Sequence, residues 1–269
     1  MLRRQVLTLV AAVAVASATL SADVTVITSL KMEGKAPGMA AQQMPKMVTH
    51  IKGMRAATIM DMDGSTMTSI VDLETRRVVM LNSKMKTVQI LDGSTKPDAT
   101  VPAPKVDIKV TPTGNTRTLL GVPCTEHTFT MTMAMDQMMG GANAPPEAAA
   151  MLKGVSMRMN GSIWSSTAGP AAAEFMAYTK AAVEQRIMEV ITGGLGLSGG
   201  LDQMMAATTQ APGIAYLTEV TMTVEGTGEM VAMMQQMGGM KMVMEVQSVS
   251  TDPVPDSIFE IPEGYKTTK

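Results

Sequence analysis

Between Cys124 and Met135 the chain alternates, residue by residue, between two chemistries. His127, Phe129, Met131, Met133 and Met135 take the odd positions; Glu126, Thr128, Thr130 and Thr132 take the even ones. Only an extended strand places i, i+2 and i+4 on one side, so this run specifies a strand with an apolar face and a hydroxyl-rich face. The pattern returns with Val155, Met157, Met159 and Ile163 set against Ser156, Arg158, Asn160 and Ser162. One-sided alternation of this kind suits an antiparallel sheet with one packed and one wet face. Asn160-Gly161 also has the composition of a hairpin turn, which would break the second strand there.

Pro170 to Val190 reads as one amphipathic helix. Pro170 suits the first turn, where a missing N–H costs nothing, and Gly193-Gly194 suits the C-terminal cap. Ala172, Phe175, Met176, Thr179, Ala182, Val183, Ile187 and Val190 make one stripe, with Glu174, Lys180, Glu184, Gln185 and Glu189 mostly opposite. Such a stripe packs on a sheet.

Short strands fill the rest. Val24 to Met32 is followed by a loop from Gly34 to Pro45, then Met47 to Lys52 and Met54 to Met62. Asp63-Gly64 turns the chain into Ser65 to Leu73. Arg77 to Leu81 and Lys86 to Leu91 form a hairpin, Val106 to Val110 and Thr116 to Leu120 resume the strands, and Ile214 to Val224 and Met240 to Val249 are the last long ones. Asp92 to Pro104, with three prolines, is expected to be a loop within one curved sheet. Leu201 to Thr208 reads as a short helix, and Met230, Met233, Met234 and Met237 fall at i, i+3, i+4 and i+7, the stripe of a short helix lying on an apolar surface. The Pro-rich tail beginning at Val254 suits an edge. The expected fold is mainly β with α. It is a curved antiparallel sheet or half-barrel of about 11 strands, covered by one long helix and short Met-rich lid helices, in a single domain over residues 23–269.

Arg3 and Arg4 followed by an apolar run from Val6 to Val15 and small residues read as an export signal over residues 1–22. Leu20-Ser21-Ala22 is followed by Asp23 rather than cysteine, so lipidation is not expected. The expectation is a soluble periplasmic or secreted chain, monomeric, with a transient cell-envelope partner possible. The formal net charge is −2, without a basic tract, and aromatic residues make up 3% of the chain. Phosphate-tracking surfaces need Lys/Arg clusters and single-strand platforms need stacking rings, so no nucleic-acid partner is expected. Cys124 is the one cysteine, which rules out a disulfide within the chain; a buried, inert thiol is the expected state. Catalysis has little to stand on. His50 and His127 are the only imidazoles, and no nucleophile elbow, metalloprotease helix or phosphate loop is present. No enzyme activity and no cofactor are expected.

The segments GVPCTEHTFTM, GSIWSSTAGPAAAEFMAYTK and PDSIFEIPEGYK, together with IKGMRAATIMDMDGSTMTSIVDLETRRVVML, resemble an uncharacterised, Met-rich family of exported bacterial proteins. That family is more remotely similar to the LolA and LolB lipoprotein carriers. The resemblance implies a half-barrel whose helices close an apolar cavity. It transfers no ligand-contact residue.

Methionine, at 31 residues, far exceeds ordinary usage. Three readings fit it. Met fills irregular core gaps in place of Leu or Phe; flexible thioethers can line an adaptable apolar pocket; or converging thioethers can hold Cu(I) or Ag(I). The expected function is a non-enzymatic binding protein for a hydrophobic small molecule, such as a lipid or acyl chain, or for a lipidated protein. Phe129, Met131, Met133, Met157, Met159, Met222, Met242 and Met244 are the candidate contacts. A Met-rich Cu(I)/Ag(I) protein and an envelope interaction protein with a fully packed core are the alternatives.

Overall fold

The computed structural model describes residues 22–33, 42–62, 64–93, 106–135, 153–194, 209–227, 231–232, 235 and 239–268. The first strand lies in the middle of its sheet, not at an edge. From β1 (Val24–Glu33) an antiparallel meander runs outward through β2 (Gln42–Lys52), β3 (Arg55–Met62), β4 (Ser65–Asp72), β5 (Arg77–Asn82) and β6 (Thr87–Asp92). A second begins at the far edge with β7 (Val106–Leu119) and returns through β8 (Val122–Ala134), β9 (Ser156–Ser166), β10 (Ile214–Glu225) and β11 (Met240–Ser250). There β11 pairs with β1 and fuses the two meanders. A short β12 (Lys266–Thr268) adds to β6 in parallel, making twelve strands in one mostly antiparallel sheet. The outermost strands, β12 and β7, do not pair with each other, so the sheet is open.

Several expectations need correction. The runs at residues 106–110 and 116–120 are one strand, β7, whose register slips between Pro112 and Thr116. Gly114, at φ 81°, supplies the left-handed residue that lets the strand bulge and resume. The single helix is two, α1 (Ala172–Glu184) and α2 (Ile187–Gly194). Arg186, in the left-handed region at φ 54°, breaks them apart. Pro170 lies ahead of α1, whose N-cap is Ala171. On either side of the break, α1 lays Ala172, Phe175 and Tyr178 against Val24, Ile51 and Tyr216, while α2 sets Ile187, Val190 and Ile191 on Leu73, Val78 and Leu91. The end of α1 already reaches the second patch through Tyr178, Ala181 and Ala182, and α2 extends the cover over it. Of the expected lid helices, residues 201–208 and Met230, Met233, Met234 and Met237 lie outside the described residues, as do residues 34–41, Asp63 and residues 94–105.

The helices cover one face of the sheet, called here the first. On it β1 shows Val24 and Val26, and register carries the Val24 row through Ile51, Ala56, Val71, Val78 and Leu91. The second face of β3–β6 shows Ala57, Ile70, Val79, Leu81 and Val88, packed against Ile258, Phe259 and Tyr265 of the C-terminal tail. Arg55 donates to Asp256 at 2.7 Å and lies 4.7 Å over the Phe259 ring, while Lys52 donates to the Val254 carbonyl at 3.0 Å. Hydrogen bonds from Arg55 and Lys52 hold the Asp256 carboxyl below its ordinary range. The β3–β6 half is thus packed on both sides, which explains why its strands read as apolar runs rather than clean alternations. Over β8–β11 the second face is wet, with Arg158 paired to Glu225 at 3.3 Å and Lys241 to Glu219 at 2.8 Å.

Asn160-Gly161 does not turn the chain; β9 runs straight through it. Gly161 sits opposite Phe129 on β8 and Val220 on β10. A Cβ there would strike the Glu219 carbonyl oxygen and come within 2.8 Å of Phe129 Cε1. The glycine marks a close approach of backbone and ring, not a hairpin. Gly161→Ala should therefore cost about 1–3 kcal/mol by overpacking, read as a lowered urea midpoint with unchanged m-value. An unchanged midpoint would show that the ring and strand move aside freely.

Candidate functional site

Opposed residues in an antiparallel ladder share a face, with Cβ atoms about 4.5–5.5 Å apart. The register therefore shows where the candidate contacts meet. Met133 opposes Met157, which opposes Val224. One row along, Ile108, Met131, Met159, Met222 and Met240 line up across five strands. The next row is Val110, Phe129, Gly161, Val220, Met242 and Met32, crossing into β1. The next is His127, Ile163, Thr218, Met244 and Leu30. All eight predicted residues fall in these four consecutive rows of one face.

That face is the one the helices cover elsewhere, because Leu30 and Met32 alternate in phase with Val24 and Val26 along β1. The helices occupy the Val24 end, and the methionines lie toward the Met32 end. Burial across the rows is uneven. Met131 and Met133 are 2% and 8% exposed, whereas Phe129, Met157, Met159, Met222, Met242 and Met244 are half-buried. Val231 closes against Met135 and Val155 at the β8 end.

The sequence reading missed the other half of the field. Through Thr28 the face continues to Met47, Met60, Met67 and Asn82, whose amide donates to Met67 Sδ at 3.3 Å. These methionines are also half-buried. Met60 and Met62 form one more M-x-M pair, the signal that could have placed them here. Between this row and the helix-covered one lies a hydroxyl row, Thr49, Thr58 and Ser69, with Thr49 and Thr58 oxygens 3.3 Å apart. Over β2–β4 the first face is thus apolar under the helices, polar in a band, and thioether-rich beyond.

The titratable groups do not converge. His50 is on β2, with Nδ1 2.9 Å from Thr25 Oγ1, and burial pulls its pKa down. It lies on the second face beside Ala57, and His127 lies five strands away on the first. The two imidazoles thus stand on opposite faces of the sheet, with its backbone between them. Cys124 is fully buried against Ile214 and Tyr216; its thiol donates to the Val122 carbonyl at 3.5 Å, and burial pushes its pKa up. A thiol held protonated there is inert. Among the described residues no group of three or more His, Cys, Asp or Glu side chains is placed to hold a metal ion, and no helix is long and apolar enough to cross a membrane.

No protein-family model matches the chain, and no curated protein shows significant similarity to it.

The uneven burial yields a direct comparison. Met133→Ala should cost about 2–5 kcal/mol, as for a packed core residue. Met242→Ala, already half solvated, should cost about 1 kcal/mol. Urea melts of the two variants check this; equal, full penalties would make the whole face a sealed core.

Proposed function

We propose that this is an exported, non-enzymatic binding protein whose methionine face takes a hydrophobic ligand with a lipid-like chain. The observation that carries the reading is the continuity of the apolar rows beyond the helices, across β8, β9, β10, β11 and β1, with most of their side chains left half-buried. A face built only as core would be covered along its length, since half-exposed apolar area forgoes about 25 cal/mol per Å². Unbranched thioether chains suit this role because they repack around ligands of varied shape at little cost. The Arg3-Arg4 leader pattern supports export, and the resemblance to exported Met-rich proteins and to the lipoprotein carriers points the same way. Lipidated proteins would meet the same surface through their acyl chains.

A second reading has an observation of its own. Met131, Met159, Met222 and Met240 stand side by side in a single row. Neighbouring thioethers about 5 Å apart at Cβ can swing onto one soft Cu(I) or Ag(I) ion.

A fluorescent apolar probe separates the two. The ligand reading expects saturable binding of an environment-sensitive fatty-acyl dye, weakened at least tenfold by Met222→Lys and indifferent to a strong Cu(I) chelator. A dye that fails to bind, alongside stoichiometric Cu(I) uptake lost on Met159→Leu and Met222→Leu, would replace the lipid reading by the metal one.

A further inference from the structure

A long edge strand is a template for another strand, because its outward N–H and C=O groups are unpaired. The sheet ends on one side in β12, three residues long, and on the other in β7, with fourteen. Among the described residues no strand pairs with the outer side of β7. Pro112 and the bulge at Gly114 interrupt its middle. Proline and a bulge are devices that blunt an edge, so the second half of β7 is guarded. From Val106 to Thr111 the strand keeps unbroken register with β8 and has neither device.

The ladder shows which backbone groups of this half face outward. Thr128 Oγ1 donates to the Thr111 carbonyl at 3.4 Å, so that carbonyl points at β8. The Met135 amide donates to the Val155 carbonyl at 2.8 Å, so here the odd positions of β8 bond toward β9 and the even ones toward β7. Asp107, Lys109 and Thr111, which oppose Thr132, Thr130 and Thr128, therefore bond inward. The N–H and C=O of Ile108 and Val110 point outward, away from β8. Pro112 belongs to the outward set, where its missing N–H costs no ladder bond. The side chains alternate as well. Ile108 and Val110 are half-buried on the first face, and Asp107 and Lys109 are exposed on the second.

We propose that this half of β7 pairs antiparallel with β7 of a second copy of the chain, about a twofold axis at Ile108. The run Val106-Asp107-Ile108-Lys109-Val110 is apolar at its centre and both ends, with opposite charges between. Centred on Ile108, that residue opposes itself, Val110 opposes the other copy's Val106, and Asp107 opposes the other copy's Lys109 on both sides of the axis. Opposite charges facing across a ladder favour a register, and like charges disfavour it. A centre at Asp107 or Lys109 sets that charge against its own copy. A centre at Val110 sets Pro112 against the other copy's Ile108, whose carbonyl then lacks a donor. The Ile108 centre avoids both faults, and the contact is self-complementary, as a twofold interface requires. Such a dimer departs from the monomer expected from sequence and does not depend on the ligand reading. It would set the row of Ile108, Met131, Met159, Met222 and Met240 end to end with its copy, joining two methionine faces into one.

Sedimentation velocity of the purified protein at low salt, over a dilution series reaching about 100 μM, tests the pairing. The expected result is a reversible monomer–dimer equilibrium. Asp107→Lys leaves lysines at both charged positions and Lys109→Asp leaves aspartates, so each variant alone should dimerise about tenfold more weakly. Mixed in equal amounts, the two should regain a dimer about as tight as the parent's, because every lysine then faces an aspartate. Both side chains are exposed, so the substitutions should leave the fold intact, which circular dichroism checks. Val110→Pro removes an outward N–H and no bond to β8, and should also give monomer if a charge variant fails to fold. A parent chain that stays monomeric, variants that dimerise as the parent does, or a mixture that regains no dimer would each overturn the proposal.

Discussion

The structure depends on one ladder, the antiparallel pairing of β1 with β11. It joins residues 24–33 to residues 240–250, and without it the two meanders are separate sheets. The pairing also sets the phase of the first face. Val24 and Val26 commit that face to the helix-covered core, and strict alternation then forces Leu30 and Met32 into line with Met244 and Met242. A slip of one residue would send the methionines to the wet side and bring Lys31 and Glu33 inward. The extra residue at Gln247, where the register shifts between Ile27 and Thr28, fixes the phase of both halves at once.

Joining the meanders this way has a geometric consequence. Strands β6 and β7 follow each other in sequence but lie ten spacings apart in the sheet. In a flat sheet that is about 48 Å. The chain from Asp92 to Val106 spans at most about 50 Å fully stretched. A flat sheet would hold the connection almost taut, so the coiling natural to twisted strands is favoured. The core agrees: one cluster contains Ala56 of β3 and Cys124 of β8, with α1 between them.

Much of this was legible because it is written in period two. The alternation at His127–Met135 and Val155–Ile163 gave both strands, their pairing face and five of the eight candidate residues, and the same period at Ile214–Val224 and Met240–Val249 gave Met222, Met242 and Met244. What escaped the sequence depends on contacts distant along the chain. Asn160-Gly161 has the letters of a turn, and only Phe129 and Glu219 closing on it make it a strand glycine. The break at Arg186 carries no sequence signal of its own; the helical stripe read from sequence chose Thr179, whereas Tyr178 is the residue that reaches both clusters. Met47, Met60 and Met67 were missed because β3 and β4 are apolar on both faces at one end, which blurs the alternation.

The methionine face, then, continues the helix-covered face with most of its described side chains half-buried, and over β2–β4 a hydroxyl row lies between it and the helix-packed core. Native mass spectrometry of the protein purified gently from its own cells tests this most directly. The account predicts a population carrying one apolar molecule per chain, with a mass matching an acyl-chain lipid and lost on mild collisional activation. A bare chain, or one whose added mass is that of copper, would contradict it.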